Sequence, residues 1–402
     1  MLLIDNIGCL ATLTGGVDAP ISQVSDAAVL VEGEKIFWCG KKSSIPKVGV
    51  DERIDAEAFM VIPGLIDCHS HLVFAGTRAD EFAARSRGET YQAIMKRGGG
   101  ILSTVSAVRQ SSDQELMAFA FARAGSILAQ GVTTLEAKSG YGLSVDQELR
   151  VLRLLKALND NHRIDIHATF LGAHVVPEEY RDDRERYLKL ITEEMMERVV
   201  DEDLAKDCDV FCDTGAFSVH ESELILTKAH GLGMGLRAHL NQLSNNGGIS
   251  LVASFPIKSI SHADHLSTED IAILAKSSTV VEVLPFAALF LRSREHTPVE
   301  ALNRASVKLA IATDFNPGSA MCHDLVLAAR LAVTLFGFTV DAALYAITAN
   351  AAISLGRSDI GRIVSGNLAD LVITNCHDIN EFFYDWTKHP VKTVIKRGKP
   401  II

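Results

Sequence analysis

A chain of 402 residues exceeds one ordinary domain and accommodates a large domain with a small one beside it. With 48% hydrophobic and 22% charged residues it has the make-up of a well-cored globular protein, which excludes a disordered chain. The formal net charge of -11, with no basic stripe, speaks against nucleic acid as a partner; no apolar run reaches the ~18 residues a membrane helix needs, and Met1 to Leu13 holds Asp5 but no lysine or arginine, unlike a secretion signal.

The first sixty or so residues read as β structure. Ala28 to Val31 is an apolar run, Gly33-Glu34 a turn and Lys35 to Cys39 a second run, closed by Gly40. From residue 61 short apolar runs alternate with longer segments of helical period, which signals βα units on a parallel sheet. The runs are Val61–His71, Val132–Ser139, Asp165–His174, Val210–Gly215, Gly235–His239, Lys258–His265, Thr279–Pro285 and Leu309–Asp314. Helices are expected at Asp113–Gln130, Val145–Asn159, Glu178–Val200, Ser222–His230 and Thr268–Ala275. The last forty or so residues return to β, with Ala369 to Thr374, a turn at Asn375 to Asp378, and an alternating strand from Val391 to Lys396. The fold expected is therefore α/β: a (β/α)8 barrel of the TIM type over residues 61–354, with residues 1–60 and 355–402 meeting in a small composite β-sandwich. An open doubly wound sheet would place a glycine-rich nucleotide loop after its first strand, where Asp67-Cys68-His69-Ser70-His71 stands instead. Gly98 to Gly100 lacks the Lys-Ser/Thr of a phosphate loop.

Seven cysteines, at 9, 39, 68, 208, 212, 322 and 376, are odd in number and scattered. In a chain large enough to stand on its core this favours free thiols in a reducing cytoplasm. Cys208 and Cys212 form one close pair, with no second pair to complete a zinc knuckle.

Catalytic groups of such a barrel stand at the C-terminal ends of its strands. His69 and His71 end the first strand, two apart and so on one side of it. His174 ends the third, His239 the fifth, His265 the sixth and Asp314 the eighth. A lone histidine after a strand is usually a satisfied polar side chain, and His162, His167, His220, His230, His296, His323, His377 and His389 are read so. Convergence of several on one end of a barrel is different. His-x-His with one distant histidine and an aspartate suits Zn2+ or an iron ion and leaves a position for water. His262, at an odd offset from His265, falls on the opposite face of a regular strand and is expected to be structural.

The run Pro63-Gly64-Leu65-Ile66-Asp67-Cys68-His69-Ser70-His71 resembles the signature of the amidohydrolase superfamily, the metal-dependent hydrolases. The segments 72–82, 98–105, Glu136 to Leu143, Phe170 to Pro177, Ala263 to Leu266 and Ala312 to Ser319 are similar to the imidazolonepropionase family, over nearly the whole chain. The Arg78 loop, the Ser-Gly-Tyr-Gly-Leu run and the Asp-Phe-Asn-Pro-Gly-Ser run narrow the resemblance to this family or its near neighbours.

The resemblance implies one metal ion, Zn2+ or Fe3+, on His69, His71, His239 and Asp314. Binuclear cousins carry a carboxylated lysine on the fourth strand; Val210–Gly215 has none, and Lys138, ending the second strand, is read as structural. It further implies a small-molecule substrate, 4-imidazolone-5-propanoate, opened by a metal-activated water to N-formimino-L-glutamate in histidine degradation. Arg78 would fork its carboxylate; Tyr91, Tyr141, His174, Gln242, Asn316, Gly318 and Ser319 would complete the substrate contacts. A homodimer is the common assembly of the family. The chain reads His239-Leu240-Asn241-Gln242 where many members carry an acidic residue in one or both of the last two places. An amide cannot shuttle a proton, so Gln242 is expected to act by hydrogen bonds, Asp314 beside the ion, and His265 as the proton-transfer residue. The alternatives are a related amidohydrolase or deaminase for another small heterocycle, and a scaffold without chemistry. Arg78 with Tyr141 fits a carboxylate-bearing substrate, and a scaffold predicts broken ligands where all four are present.

Overall fold

The computed structural model describes residues 1–15, 21–89, 93–94 and 99–401. In chain order β1 (Leu2–Ala11), β2 (Gln23–Glu32) and β3 (Lys35–Lys41) form an antiparallel meander. The far edge of β1 runs parallel to β4 (Glu52–Asp55) in its first half and to β5 (Met60–Pro63) in its second. Then come β6 (Leu65–Asp67), β7 (Val132–Lys138), β8 (Asp165–Ala173), β9 (Asp207–Cys212), β10 (Gly235–Leu240), β11 (Ile257–His262), β12 (Val280–Val283) and β13 (Leu309–Ile311), each parallel to the next. The chain ends with β14 (Leu371–Thr374), β15 (Val391–Lys396) and β16 (Lys399–Pro400). Because β14 pairs with β5, both chain ends share one connected eight-stranded sheet.

The parallel strands close into the expected (β/α)8 barrel just beyond the last ladder. Asp314 N donates to His69 O (3.0 Å) and His71 N to Phe315 O (2.9 Å), which joins the first strand's extension to the last. Hydroxyl caps fix several of the surrounding helices. Ser112 with Glu115, Ser218 with Glu221 and Ser267 with Asp270 form capping boxes ahead of Asp113–Ala129, Val219–Gly231 and Thr268–Leu274.

The expected strand Val61–His71 is two strands. Gly64 divides it, with β5 in the terminal sheet and β6 in the barrel. A Cβ at Gly64 would lie 2.3 Å from Thr133 Oγ1, so only glycine lets the chain pass from one sheet to the other this close to β7. The apolar run is continuous, so hydropathy carries no mark of the break. The expected helix Glu178–Val200 is likewise a 3-10 turn at Glu178–Tyr180 followed by a helix from Arg184 to Asp201, which widens to π geometry at Leu190–Met195.

The lumen positions the site. A (β/α)8 barrel is usually filled by aliphatic side chains. Here the two-residue period buries Thr134, Glu136 and Lys138 of β7, Asp207 and Asp209 of β9, Arg237 and His239 of β10, Ser259 and Ser261 of β11, and Glu282 of β12. Several meet across strands that are not neighbours, Lys138 with Asp209 at 2.8 Å and Arg237 with Glu282 at 2.5 Å, so these contacts cross the barrel interior. The aliphatic core lies outside, between strands and helices. No helix of the described residues is long and apolar enough to cross a membrane.

Candidate active site

His69 and His71 stand on an extended segment stitched from both sides. Lys138 N donates to Ser70 O (2.9 Å), Ser70 Oγ to Glu136 O (2.6 Å), and the closing bonds to residues 314 and 315 hold the other edge. The ligand atoms of His69, His71 and His239 all lie within 4.8 Å of one another. Asp314 Oδ1 is 3.4 Å from His69 Nε2 and 3.5 Å from His71 Nε2. A tetrahedral ion with bonds of about 2.1 Å spaces its ligands about 3.4 Å apart, so this set has the dimensions of a single-ion site.

The chemistry of the donors agrees. Ser261 Oγ donates to Glu282 Oε2 (2.7 Å), so it accepts from His69 Nδ1 (2.7 Å); His239 Nδ1 donates to Asp209 Oδ1 (3.0 Å). Both rings then offer an Nε2 lone pair to the lumen, and both Nε2 atoms are buried without a hydrogen-bond partner. Burial pushes the His71 imidazole down to about 4 and lowers His239, which leaves both uncharged at neutral pH. Burial works upward on Asp314, but His69 and His71 outweigh it and hold the carboxyl well below the usual range. Burial works downward on His69, but Asp314 and Glu282 outweigh it and raise its imidazole, so an ion binding there displaces a proton from that ring. Three imidazoles and a carboxylate fit one zinc or iron ion.

His71, His239 and Asp314 open into a cavity of about 320 Å³ that also presents Arg78, Tyr141, His174, Gln242, Asn316, Gly318 and Ser319. Tyr91 lies outside the described residues. The loop bearing Tyr141 is wrapped on a carboxylate: Glu148 accepts from Gly140 N (3.0 Å), Gly142 N (2.7 Å) and Leu143 N (2.8 Å). His174 donates Nδ1–H to Gly140 O (2.9 Å) and stacks on His71 at 5.4 Å. Asn316 folds the last loop, its Oδ1 accepting from Gly318 N and Ser319 N, both at 2.8 Å.

Buried Arg78 gives Nε to Glu81 (2.8 Å) and lays its guanidinium against Gly318, where a Cβ would lie 1.9 Å from Nη1. Gly318→Ala must therefore displace the guanidinium. Its KM is expected to rise about ten- to a hundredfold, the range of a lost charge-assisted contact, with kcat little changed. Steady-state kinetics read this, and an unchanged KM would refute it.

His265 is not in the cavity, and His262 is. β11 ends at His262, whose φ is 70°, with 55° at Ala263. The left-handed turn ends the alternation, so His262 enters the lumen directly after the inward Ser261. Its ring lies 5.6 Å from that of His239 and 6.2 Å from that of His69, and its Nδ1 is buried without a hydrogen-bond partner. His265 is half-buried beyond the turn and meets Asn241 through its backbone, with N to Asn241 O (3.0 Å) and O from Asn241 Nδ2 (2.7 Å). Counting by two assumes an unbroken strand, and the strand stops three residues before His265.

Asp264 lies in the same turn and accepts from Thr297 N (3.1 Å) and Oγ1 (3.0 Å); burial pushes it up to about 6. An acid raised on folding holds its proton more tightly in the native state. Its contribution to stability is whole below about pH 4 and is lost as pH climbs through about 6. Asp264→Asn keeps an acceptor for Thr297 and removes that loss. Denaturant unfolding is expected to find it more stable than the parent near pH 8 by on the order of 2 kcal/mol, and equal near pH 4. A gap independent of pH would overturn this.

Sequence reasoning also missed Glu136, Asp209, Arg237 and Glu282 behind the ligands. The signal was present. Parallel strands covered on both faces read as apolar runs, and polar or ionisable residues at every second position of 134–138, 207–209 and 237–239 break that rule.

The amidohydrolase family model matches residues 60–401. The chain belongs to the amidohydrolase family. Among curated relatives, the imidazolonepropionase of Shewanella halifaxensis is 38% identical over 392 residues, covering 97% of this chain and 96% of that protein. That of Shewanella sediminis is 39% identical over 393 residues, with the same coverage. Solved amidohydrolase folds superpose on the whole chain. Atrazine chlorohydrolase TrzN of Arthrobacter aurescens, complexed with zinc, gives a TM-score of 0.75 at 17% identity, covering 100% of this chain and 95% of that one. An adenosine deaminase of Xanthomonas campestris with bound zinc gives 0.68 at 19%, covering 99% and 92%. At such identities the likeness is one of fold.

Proposed function

We propose that this amidohydrolase is an imidazolonepropionase: it hydrolyses the cyclic amide C–N bond of 4-imidazolone-5-propanoate to N-formimino-L-glutamate, in histidine degradation. The observation that carries the reading is that His71, His239 and Asp314 line one cavity with the buried Arg78, while fully buried His69 completes the ligand set. We assign one ion, Zn2+ or Fe3+, to that set. When bound it lowers the pKa of a water toward neutrality and polarises the substrate carbonyl.

Arg78 grips the propanoate carboxylate in a forked pair and Tyr141 adds a hydroxyl contact. Residues 316–319 and His174 bracket the ring and aim its carbonyl at the ligand set. Water adds across the bond, hydroxyl to the carbonyl carbon and hydrogen to the departing ring nitrogen. Burial holds the His262 imidazole well below its usual range, so it starts neutral. It takes the proton shed by the attacking water and passes it to that nitrogen. Gln242 steadies the ring by hydrogen bonds without exchanging protons, and among the described lining residues Asp314 is the one carboxylate. We further propose a cytoplasmic homodimer that needs neither nucleic acid nor membrane.

Metal-loaded protein is to be mixed with freshly generated imidazolonepropionate and followed by ultraviolet absorbance, with an enzyme-free control for spontaneous decay. Accelerated loss with formation of formiminoglutamate supports the assignment. Decay at the control rate with one ion bound per chain would sink it.

A further inference from the structure

We infer that Lys138 is a positioning residue for the metal: acting through Asp209, it holds the His239 ring at the angle where Nε2 faces His69 and His71. The inference rests on the ligand set being the metal site. Lys138 Nζ lies 2.8 Å from Asp209 Oδ2 and 2.7 Å from Glu136 Oε1, and Asp209 Oδ1 lies 3.0 Å from His239 Nδ1. Lys138, Glu136, Asp209 and His239 are all buried. Asp209 thus gives one oxygen to the ring and the other to the ammonium. The ammonium meets its oxygen as an ion pair rather than an aligned hydrogen bond, and that charge contact at one end with the hydrogen bond at the other resists rotation of the carboxylate and of the ring. Lys138 is on β7 and Asp209 on β9, so the brace spans the lumen past β8.

Stability alone is a poor reason for this arrangement. Burying such charges costs more than packing aliphatic groups in their place, and most barrels fill this space with aliphatic side chains. A second brace has the same construction: Arg237 meets Glu282 at 2.5 Å, and Glu282 with Ser261 fixes His69 Nδ1. His71 has no such brace. Its Nδ1 is buried without a hydrogen-bond partner, and its ring leans on His174. Two of the three imidazoles are thus locked by a carboxylate that a cation holds from behind, an arrangement that tunes ligand basicity and direction.

The test uses the full chain and reads metal binding rather than turnover. Zn2+ affinity is measured by chelator competition, and the visible spectrum of the Co2+ form reports ligand geometry. The variants are Lys138→Met, Lys138→Met/Glu136→Gln, which removes a carboxylate that methionine would strand, and the isosteric Asp209→Asn. Each folded variant is expected to bind Zn2+ about 10–100-fold more weakly and to show a shifted Co2+ spectrum. If Lys138→Met does not fold, the other two decide. Unchanged affinity and spectrum in the folded variants, with only Tm lowered, would make Lys138 purely structural and overturn the inference. Metal binding in the parent that His239→Ala leaves untouched would instead remove the metal-site reading beneath it.

Discussion

His262→Asn is expected to lower kcat by about 10²–10⁴-fold with little change in KM, while His265→Asn leaves both near the parent values. Among the described residues His262 is the cavity-lining histidine that neither belongs to the ligand set nor stacks on it through the loop at Gly140. Gln242 has no proton to exchange, and Asp314 is committed to His69 and His71 at 3.4 and 3.5 Å. Removing the His262 imidazole leaves, among the described lining residues, His174 as the one neutral imidazole outside the ligand set, and its Nδ1–H is tied to Gly140 O on the side of the ring, away from the proton path assigned to His262. His265 meets the rest of the site through its backbone, which asparagine keeps. Stopped assays at saturating substrate, with circular dichroism to show an intact fold, separate the two positions. A large loss at 265 and none at 262 would return the role to the residue expected from strand counting.

Stripping the metal, or replacing Asp314 with alanine, is expected to cost at least about a thousandfold in turnover, because the ion supplies both water activation and carbonyl polarisation. Readdition of Zn2+ or iron should restore the stripped parent and leave Asp314→Ala inactive. Stability should fall together with activity. The lumen carries buried Glu136, Asp207, Asp209 and Glu282 against Lys138 and Arg237, so removing a bound cation raises its negative excess. The stripped parent should melt at lower temperature, since an ion that binds only the folded state stabilises it by mass action. Full activity after exhaustive chelation, with metal analysis showing none left, would refute the metal-dependent chemistry.

His69 and His71 were legible because a two-residue spacing after an apolar run can only put both side chains on one side of a strand. The barrel was legible from eight apolar runs separated by helical segments, and the family from motifs along nearly the whole chain. His239 and Asp314 followed, since both terminate a run. Each of these is a local property that no distant residue has to complete.

What only the tertiary structure decided depends on groups far apart in the chain. Gly64 ends one sheet and begins another because Thr133 leaves no room for a Cβ. His262 rather than His265 lines the cavity because a positive φ, stabilised by the turn around Asn241, cancels the alternation on which the count relied. The braces behind His69 and His239 join β7 to β9 and β10 to β12 across the lumen. A sequence states which residues are charged. Which charges share a low-dielectric interior, and so must pair, is settled only when the barrel closes.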